Sequence, residues 1–302
     1  MTTWNPRTLT RRIGRYPAAV LTAGAVLLAI VVAAVGAPLF APEGYDAQDI
    51  TARYSAPTWF GRHPLGTDEL GRDVLVRAVY GGQSALGITV LAAVLATLLG
   101  LTLALVAALG RRWVDDLVGR LADVQLAIPS ILLALVVLAF AGNEIVPLIV
   151  VLAVGAWVLT FRIVRVHATR IAALPYVEAA RISGAGWWGV LRRHVLPASL
   201  PLVVVAFTLN FSSILVLESS LGYLGLGIQP PRPDWGQMVS SGQAQLAGAW
   251  WISIVPGVFL VATVVSVQVI GDWLADRLSV NGSGGPTEVS AGPENLIEGG
   301  RG

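Results

Sequence analysis

The chain has 302 residues and contains neither cysteine nor lysine. The first absence excludes disulfides, thiolate metal sites and cysteine nucleophiles. The second excludes a Walker-type phosphate loop, whose lysine reaches the nucleotide phosphates, so the chain is not itself that kind of ATPase. It also excludes a lysine Schiff-base enzyme. All 20 basic residues are therefore arginine. Charge of either sign is scarce: 13% of residues are charged, against about a quarter in a soluble domain. The formal net charge of +2 is no nucleic-acid footprint.

What fills the space is apolar. Hydrophobic residues make up 55% of the chain, and they come in blocks. Charge-free intervals run 16–42, 78–110, 124–143, 145–161, 194–217 and 235–271. Crossing a hydrocarbon core of about 30 Å takes about 20 helical residues, and each interval can hold a crossing, with 145–161 near the lower limit. The runs are continuous, as at 131–140, rather than alternating, so helices are expected and not a β-barrel. The first run follows Arg7, Arg11, Arg12 and Arg15 but exceeds the 7–15 residues of a signal-peptide core, so it reads as a retained helix. Six spans are expected at about 17–40, 83–109, 124–141, 146–164, 200–217 and 250–272.

The arginines orient these spans. With the N-terminus in the cytoplasm, 15 arginines fall inside and 5 outside, so both termini are expected inside. The organisation expected is a cytoplasmic segment 1–16, a first helix with an extracytoplasmic segment over 17–82, a core of five helices over 83–277, and a disordered cytoplasmic tail over 278–302. His63, Asp68, Glu69 and Asp73 fit no metal-ligand spacing and are expected in turns and helix caps.

Between the fourth and fifth spans lies a polar island. Pro175 suits the first position of a short helix. Gly184 is placed to end it in a left-handed cap, and Trp187 opens a second short helix that Pro197 is expected to stop. The spacing thus predicts two short helices joined by a glycine turn at the membrane surface, over 175–197. A plain loop, or a DNA-binding helix-turn-helix, are the bland alternatives.

Glu178-Ala179-Ala180, then Gly184, then Leu196-Pro197 resembles the EAA motif of ABC importer permeases. One fixed position departs, His194 standing where isoleucine is usual, and the dipeptide/oligopeptide branch commonly has histidine there. Ala198 replaces a frequent asparagine. The segments 63–75, 218–231 with Trp235-Gly236, and 271–277 are similar to signatures of the same branch, in the same order. Together they resemble the C-type permease subunit of dipeptide/oligopeptide (peptide/nickel) ABC importers over roughly 60–277.

The resemblance implies an all-α, six-span, type I importer permease in the bacterial inner membrane. It implies no catalysis and no cofactor on this chain, ATP and magnesium being held by partner ATPase subunits. The partners implied are a second homologous permease in a heterodimer, one or two cytoplasmic ATPases, an extracytoplasmic substrate-binding protein, a peptide and lipids. It assigns ATPase coupling to Glu178, Ala179, Ala180, Gly184, Leu196 and Pro197. Polar residues in the fifth span, Asn210, Ser213 and Glu218, are expected along the translocation path, and Tyr223 and Trp235 at the binding-protein interface, where Trp235, Trp250 and Trp251 suit the headgroup layer. Glutathione or nickel chelates are alternative substrates. A stand-alone secondary transporter is the rival from another class; it calls for buried acidic residues within the spans, and none is expected.

Overall fold

The computed structural model describes residues 17–58, 60–142 and 144–282. The expected N-terminal segment 1–16 lies outside the described residues, as does the expected tail 278–302 from 283 on; residues 278–282 are not a disordered tail but continue the last helix. Within them the chain is helical, with one isolated β-bridge between Thr67 and Asp73. The first helix, α1 (Pro17–Phe40), packs on α2 (Val74–Leu109) and α10 (Trp251–Gly282), and its Ala34 and Ala37 are buried. Its remaining face, including Leu21, Leu28 and Val32, is open.

Helix α2 is 36 residues long, about 54 Å at 1.5 Å per residue against about 30 Å of hydrocarbon, so it overshoots. Asp73 caps it by accepting the Val76 N–H at 3.0 Å. Residues 74–82, expected in the loop, form its first turns. The buried Arg77 is what the charge-free criterion could not accommodate; it faces Asp68 at 3.5 Å, beside the Arg72–Asp68 pair at 2.7 Å. The preceding residues, 41–58 and 60–73, fold onto the N-terminal ends of α2 and α10. Trp251 Nε1–H donates to the Thr67 carbonyl at 3.0 Å, and Asp68 accepts the backbone N–H groups of Leu70 and Arg72. This is the loop end of the bundle.

At the opposite, basic end the expected straight third span is broken. Helix α3 (Arg112–Leu126) turns by 86° into α4 (Ser130–Ala141). Pro129 sits at the break and biases Ile128 away from helical geometry. Charge sets the course of α3: it buries Val118 and Ala122 while Arg165 pairs with Asp115 and Arg162 with Asp123 at 2.6 Å. It runs along α5 (Ile145–Ala172), where Trp157 Nε1–H donates to Gln125 at 2.6 Å. With 12 residues, α4 is about 18 Å long and too short to cross alone.

Two short helices, α6 (Pro175–Ile182) and α7 (Trp187–Val190), follow; a π-helical turn, Leu191–Val195, then carries the chain into α8 (Leu196–Tyr223). The last short helix is α9 (Trp235–Gly242), which packs on α8 and α10. Among the described residues five helices are long and apolar enough to cross a membrane: α1, α2, α5, the continuous helix Trp187–Tyr223 and α10. The bent pair α3–α4 makes a sixth if taken as one crossing.

The core follows the small residues of α2. Ala92, Ala93, Ala96, Gly100 and Ala104 are buried, and α5 lies against them. A small-residue face lets two helix backbones approach closely, which replaces hydrophobic driving force where the surroundings are lipid.

Candidate functional site

The hairpin α6–α7 begins as the sequence predicts. Pro175 occupies the first turn of α6, where a missing N–H costs nothing. The C-terminus is a Schellman cap: Ala185 N–H donates to the Ala180 carbonyl and Gly184 N–H to that of Arg181, both at 3.0 Å. Gly184 has φ +93°, a conformation costly for any residue with a Cβ.

The second half corrects the expectation. Pro197 does not stop the helix. Leu196 N–H reaches back to the Leu191 carbonyl, one residue beyond α-helical spacing. This widened turn supplies the room that a proline ring needs against the carbonyl four residues earlier. The hairpin is thus covalently and helically continuous with α8.

One face of the hairpin is glued down. Val177, Val190, Leu191 and Val195 are buried in one cluster with Ala104, Leu105, Phe161, Val164 and Ala168, and the Tyr176 and His194 rings lie 5.6 Å apart. The other face is open. Glu178, Ala179 and Gly184 are exposed, Ala180 and Leu196 are half-buried, and Pro197 is exposed. Beside them stand three apolar side chains that sequence reasoning left out: Ile182 (83% exposed), Trp188 (59%) and Trp187. The Trp187 and Trp188 rings stack at 5.8 Å, and the Arg192 guanidinium lies 6.0 Å from the Trp188 ring. These apolar groups are exposed together with Arg181, Arg192 and Arg193, and exposed apolar clusters with a polar rim are a common feature of contact surfaces. The signal available was that these apolar residues fall within a segment otherwise rich in arginine.

The three candidate path residues do not share a surface. Asn210 is buried and donates to the hydroxyls of Thr160 (2.9 Å) and Thr97 (3.2 Å), joining α8 to α5 and α2. Ser213 lies on the open face of α8 with Val216. Glu218 is wholly buried, contrary to the expectation that no span holds a buried acid. Its side chain hydrogen-bonds to that of Asp234, which caps α9 by accepting the Gln237 N–H at 3.2 Å. Burial pushes the Asp234 carboxyl up to about 6.

The two candidate interface residues also separate. Trp235 is wholly buried, its Nε1–H donating to the Ala78 carbonyl at 2.7 Å. Gly81 and Gly82 make the notch: a Cβ on either would stand 3.1 Å from the indole. Trp251 is buried as well, whereas Trp250 is half exposed. Placing Trp235 at an outer surface is therefore corrected. Tyr223 is partly exposed, donates to Gln243 at 2.6 Å and lines an apolar groove of about 860 Å³ with Val239, Leu246 and Ile254.

At the loop end Tyr45, Tyr80, Gln83, Ile228, Arg232 and Pro233 line a cleft of about 410 Å³. His63 Nδ1 lies 3.0 Å from Asp73, the cap of α2. Among the described residues no three His, Asp or Glu side chains converge as a metal set would require.

The family described as binding-protein-dependent transport system inner membrane component matches residues 96–280. The Di/tripeptide transport system permease protein DppC of Pseudomonas aeruginosa (strain UCBPP-PA14) is 34% identical over 256 residues, covering 83% of this chain and 84% of the relative. A putative peptide transport system permease protein of Brucella suis biovar 1 (strain 1330) is 37% identical over 261 residues, with 85% and 87% covered. The Dipeptide transport system permease protein DppC of Alkalihalophilus pseudofirmus is 32% identical over 253 residues, with 84% and 83% covered. Among solved structures, an inward-facing conformation of the MetNI methionine ABC transporter superposes with a TM-score of 0.58 at 22% identity, over 68% of this chain and 97% of that one. This last likeness is one of fold.

Proposed function

The chain belongs to the family of binding-protein-dependent transport system inner membrane components, and from that membership we propose that it is the peptide-translocating permease subunit of an ATP-driven importer, coupled to its ATPase through the α6–α7 hairpin. The observation that carries this reading is the two-faced hairpin. Its inner face is fixed to α2 and α5 by buried valines, its C-terminal end runs on into α8, and its outer face is apolar and unpartnered within the chain. A push on Ile182 or Trp188 reaches α5 and α8 without passing through a flexible joint.

The partners proposed are a second, homologous permease completing the pathway as a heterodimer, one or two cytoplasmic ATPases holding ATP and magnesium, and an extracytoplasmic binding protein that delivers a peptide. The binding protein is assigned to the loop end, where 41–58, 60–73 and 224–250 present the Tyr45–Arg232 cleft. The basic end then faces the cytoplasm. Because the chain has no cysteine of its own, an Ile182→Cys variant tests this directly. A membrane-impermeant maleimide is expected to label inside-out vesicles and to leave intact cells unlabelled. Labelling of intact cells reverses the topology.

The test of function is uptake by the complete complex in liposomes, challenged with dipeptides, longer peptides, glutathione and nickel chelates. ATP-dependent accumulation of peptides, absent when this chain is reconstituted alone, is the expected result. Accumulation of chelates or glutathione only would move the substrate and keep the machine. Gradient-driven uptake by the single chain would replace the reading with a secondary transporter.

A further inference from the structure

The buried pair Glu218 and Asp234 plays no part in the mechanism above. Glu218 is the one charged residue of α8, and neither it nor Asp234 has any exposed surface. They hydrogen-bond to each other, and two carboxyl groups can do so only if a proton lies between them. Glu218 Oε1 and Asp234 Oδ1 are buried and accept no hydrogen bond from any donor of the described residues.

No cation compensates. Among the described residues neither acid is in an ion pair. Helix α9 carries no charge. The loop before it has only the exposed Arg232. On α2, Arg77 faces Asp68 and Tyr80 donates to the Ala41 carbonyl. The first charged residue of α10 is Asp272, 21 residues beyond its start. At the loop end α5 is preceded by the exposed Glu144.

The backbone packs closely around the pair. Three glycines close over the pair. A Cβ on Gly222 would overlap Asp234 Oδ2, one on Gly227 would stand 3.1 Å from it, and one on Gly236 would overlap the Ser219 carbonyl. The ligand that fits such a site is a proton.

We propose that Glu218 and Asp234 form a proton-binding site that latches the 224–234 loop and the start of α9 onto α8, tight when protonated and loosened as protons leave. The latched loop supplies Ile228, Arg232 and Pro233 to the 410 Å³ cleft at the outer mouth, so the latch sets the shape of one wall of the entrance. The direction in pH follows from Asp234, whose folded value of about 6 stands above its ordinary 3.8. Loss of that proton leaves the pair sharing the remaining one but carrying a buried negative charge that no cation compensates, so the contribution, fully present below pH 3.8, is lost as pH rises through about 6. External alkalinity therefore loosens the mouth and acidity tightens it.

Hydrogen–deuterium exchange of the segment 224–243, in the assembled transporter in lipid nanodiscs and corrected for intrinsic exchange, reads the latch. In the wild type, opening is expected to increase about tenfold from about pH 5 to about pH 8. In Glu218→Gln, which keeps a donor and removes one acid, it should stay low and nearly flat. A flat wild-type profile overturns the proposal, as does a Glu218→Gln profile that tracks the wild type. Suppression of the alkaline opening by added sodium or calcium would put a metal in place of the proton and also overturns it. If Glu218→Gln does not assemble, Asp234→Asn is read in the same way, with the same flat profile expected. None of these outcomes depends on which solute is carried.

Discussion

A Gly184→Val variant is expected to reach the membrane at normal levels and to lose substrate uptake and substrate-stimulated ATP hydrolysis by about tenfold or more. The cause is backbone conformation alone. Gly184 has φ +93°, and a Cβ added there meets nothing within 4 Å. The added Cβ thus brings no clash, and what valine meets is the strain of a β-branched residue in a region it avoids, about 1–3 kcal/mol. The chain can relieve that strain by abandoning the Schellman cap, which gives up the Ala185 to Ala180 and Gly184 to Arg181 hydrogen bonds and changes the angle at which α6 leaves α7. The buried residues Val177 and Val190 keep the hairpin attached, so the fold survives while Ile182, Trp187 and Trp188 are re-aimed. A strain of about 1.4 kcal/mol is already a factor of about ten in the population of the docking geometry. Gly184→Asn, which tolerates positive φ better than valine, should be milder. Uptake assayed beside quantified chain in the membrane separates coupling from folding, and normal uptake by the valine variant would remove Gly184 from the coupling role.

The apolar blocks were legible because hydrocarbon excludes charge, and a charge-free interval is visible in one dimension. The helix ends were less so, for the same reason turned around. Charged residues sit inside α2, α5 and α10 wherever a partner or a membrane surface receives them. Arg77 does so beside Asp68, and Arg165 beside Asp115, so intervals drawn at the first charge came out short. The break at Pro129 and the widened turn before Pro197 both had a proline to announce them. What the sequence does not disclose is whether the backbone around a proline bends or makes room.

The same division runs through the site. The cap at Gly184 is local chemistry and could be read from spacing. Trp235 could not, because its burial depends on a glycine pair in α2 and a carbonyl at Ala78, 157 residues away. Glu218 was visible as an acid near the end of a span, but its partner Asp234 arrives only after the chain has looped back across the end of α8. A search for acids near one another in space, rather than within one helix, is what finds the pair.

A Gly100→Val substitution should be among the most damaging single changes between the long helices. A Cβ there would overlap the Trp157 carbonyl and come within 2.7 Å of Thr160 Cβ and 3.0 Å of the Phe161 backbone nitrogen. Backbone atoms of α5 cannot swing aside as a flexible side chain can. The two helices must separate, and overpacking of a tight interface costs about 1–3 kcal/mol or more. Separation also strands Asn210, which reaches Thr97 on α2 and Thr160 on α5 at once. A buried amide left without one partner costs about another 1–3 kcal/mol. Together these come to about 2–6 kcal/mol, a large fraction of the net stability of an ordinary domain, about 5–15 kcal/mol, so the amount of folded chain extractable in mild detergent is expected to drop by about tenfold or more. Gly155→Val on the neighbouring helix is the control. A Cβ at Gly155 meets nothing within 4 Å, so valine there should leave this chain's own stability unchanged, and a loss appearing only in the assembled transporter would mark Gly155 as a contact with another subunit. Equal yields from the two variants would mean that α2 and α5 do not pack through Gly100, and the close approach on which this bundle rests would be wrong.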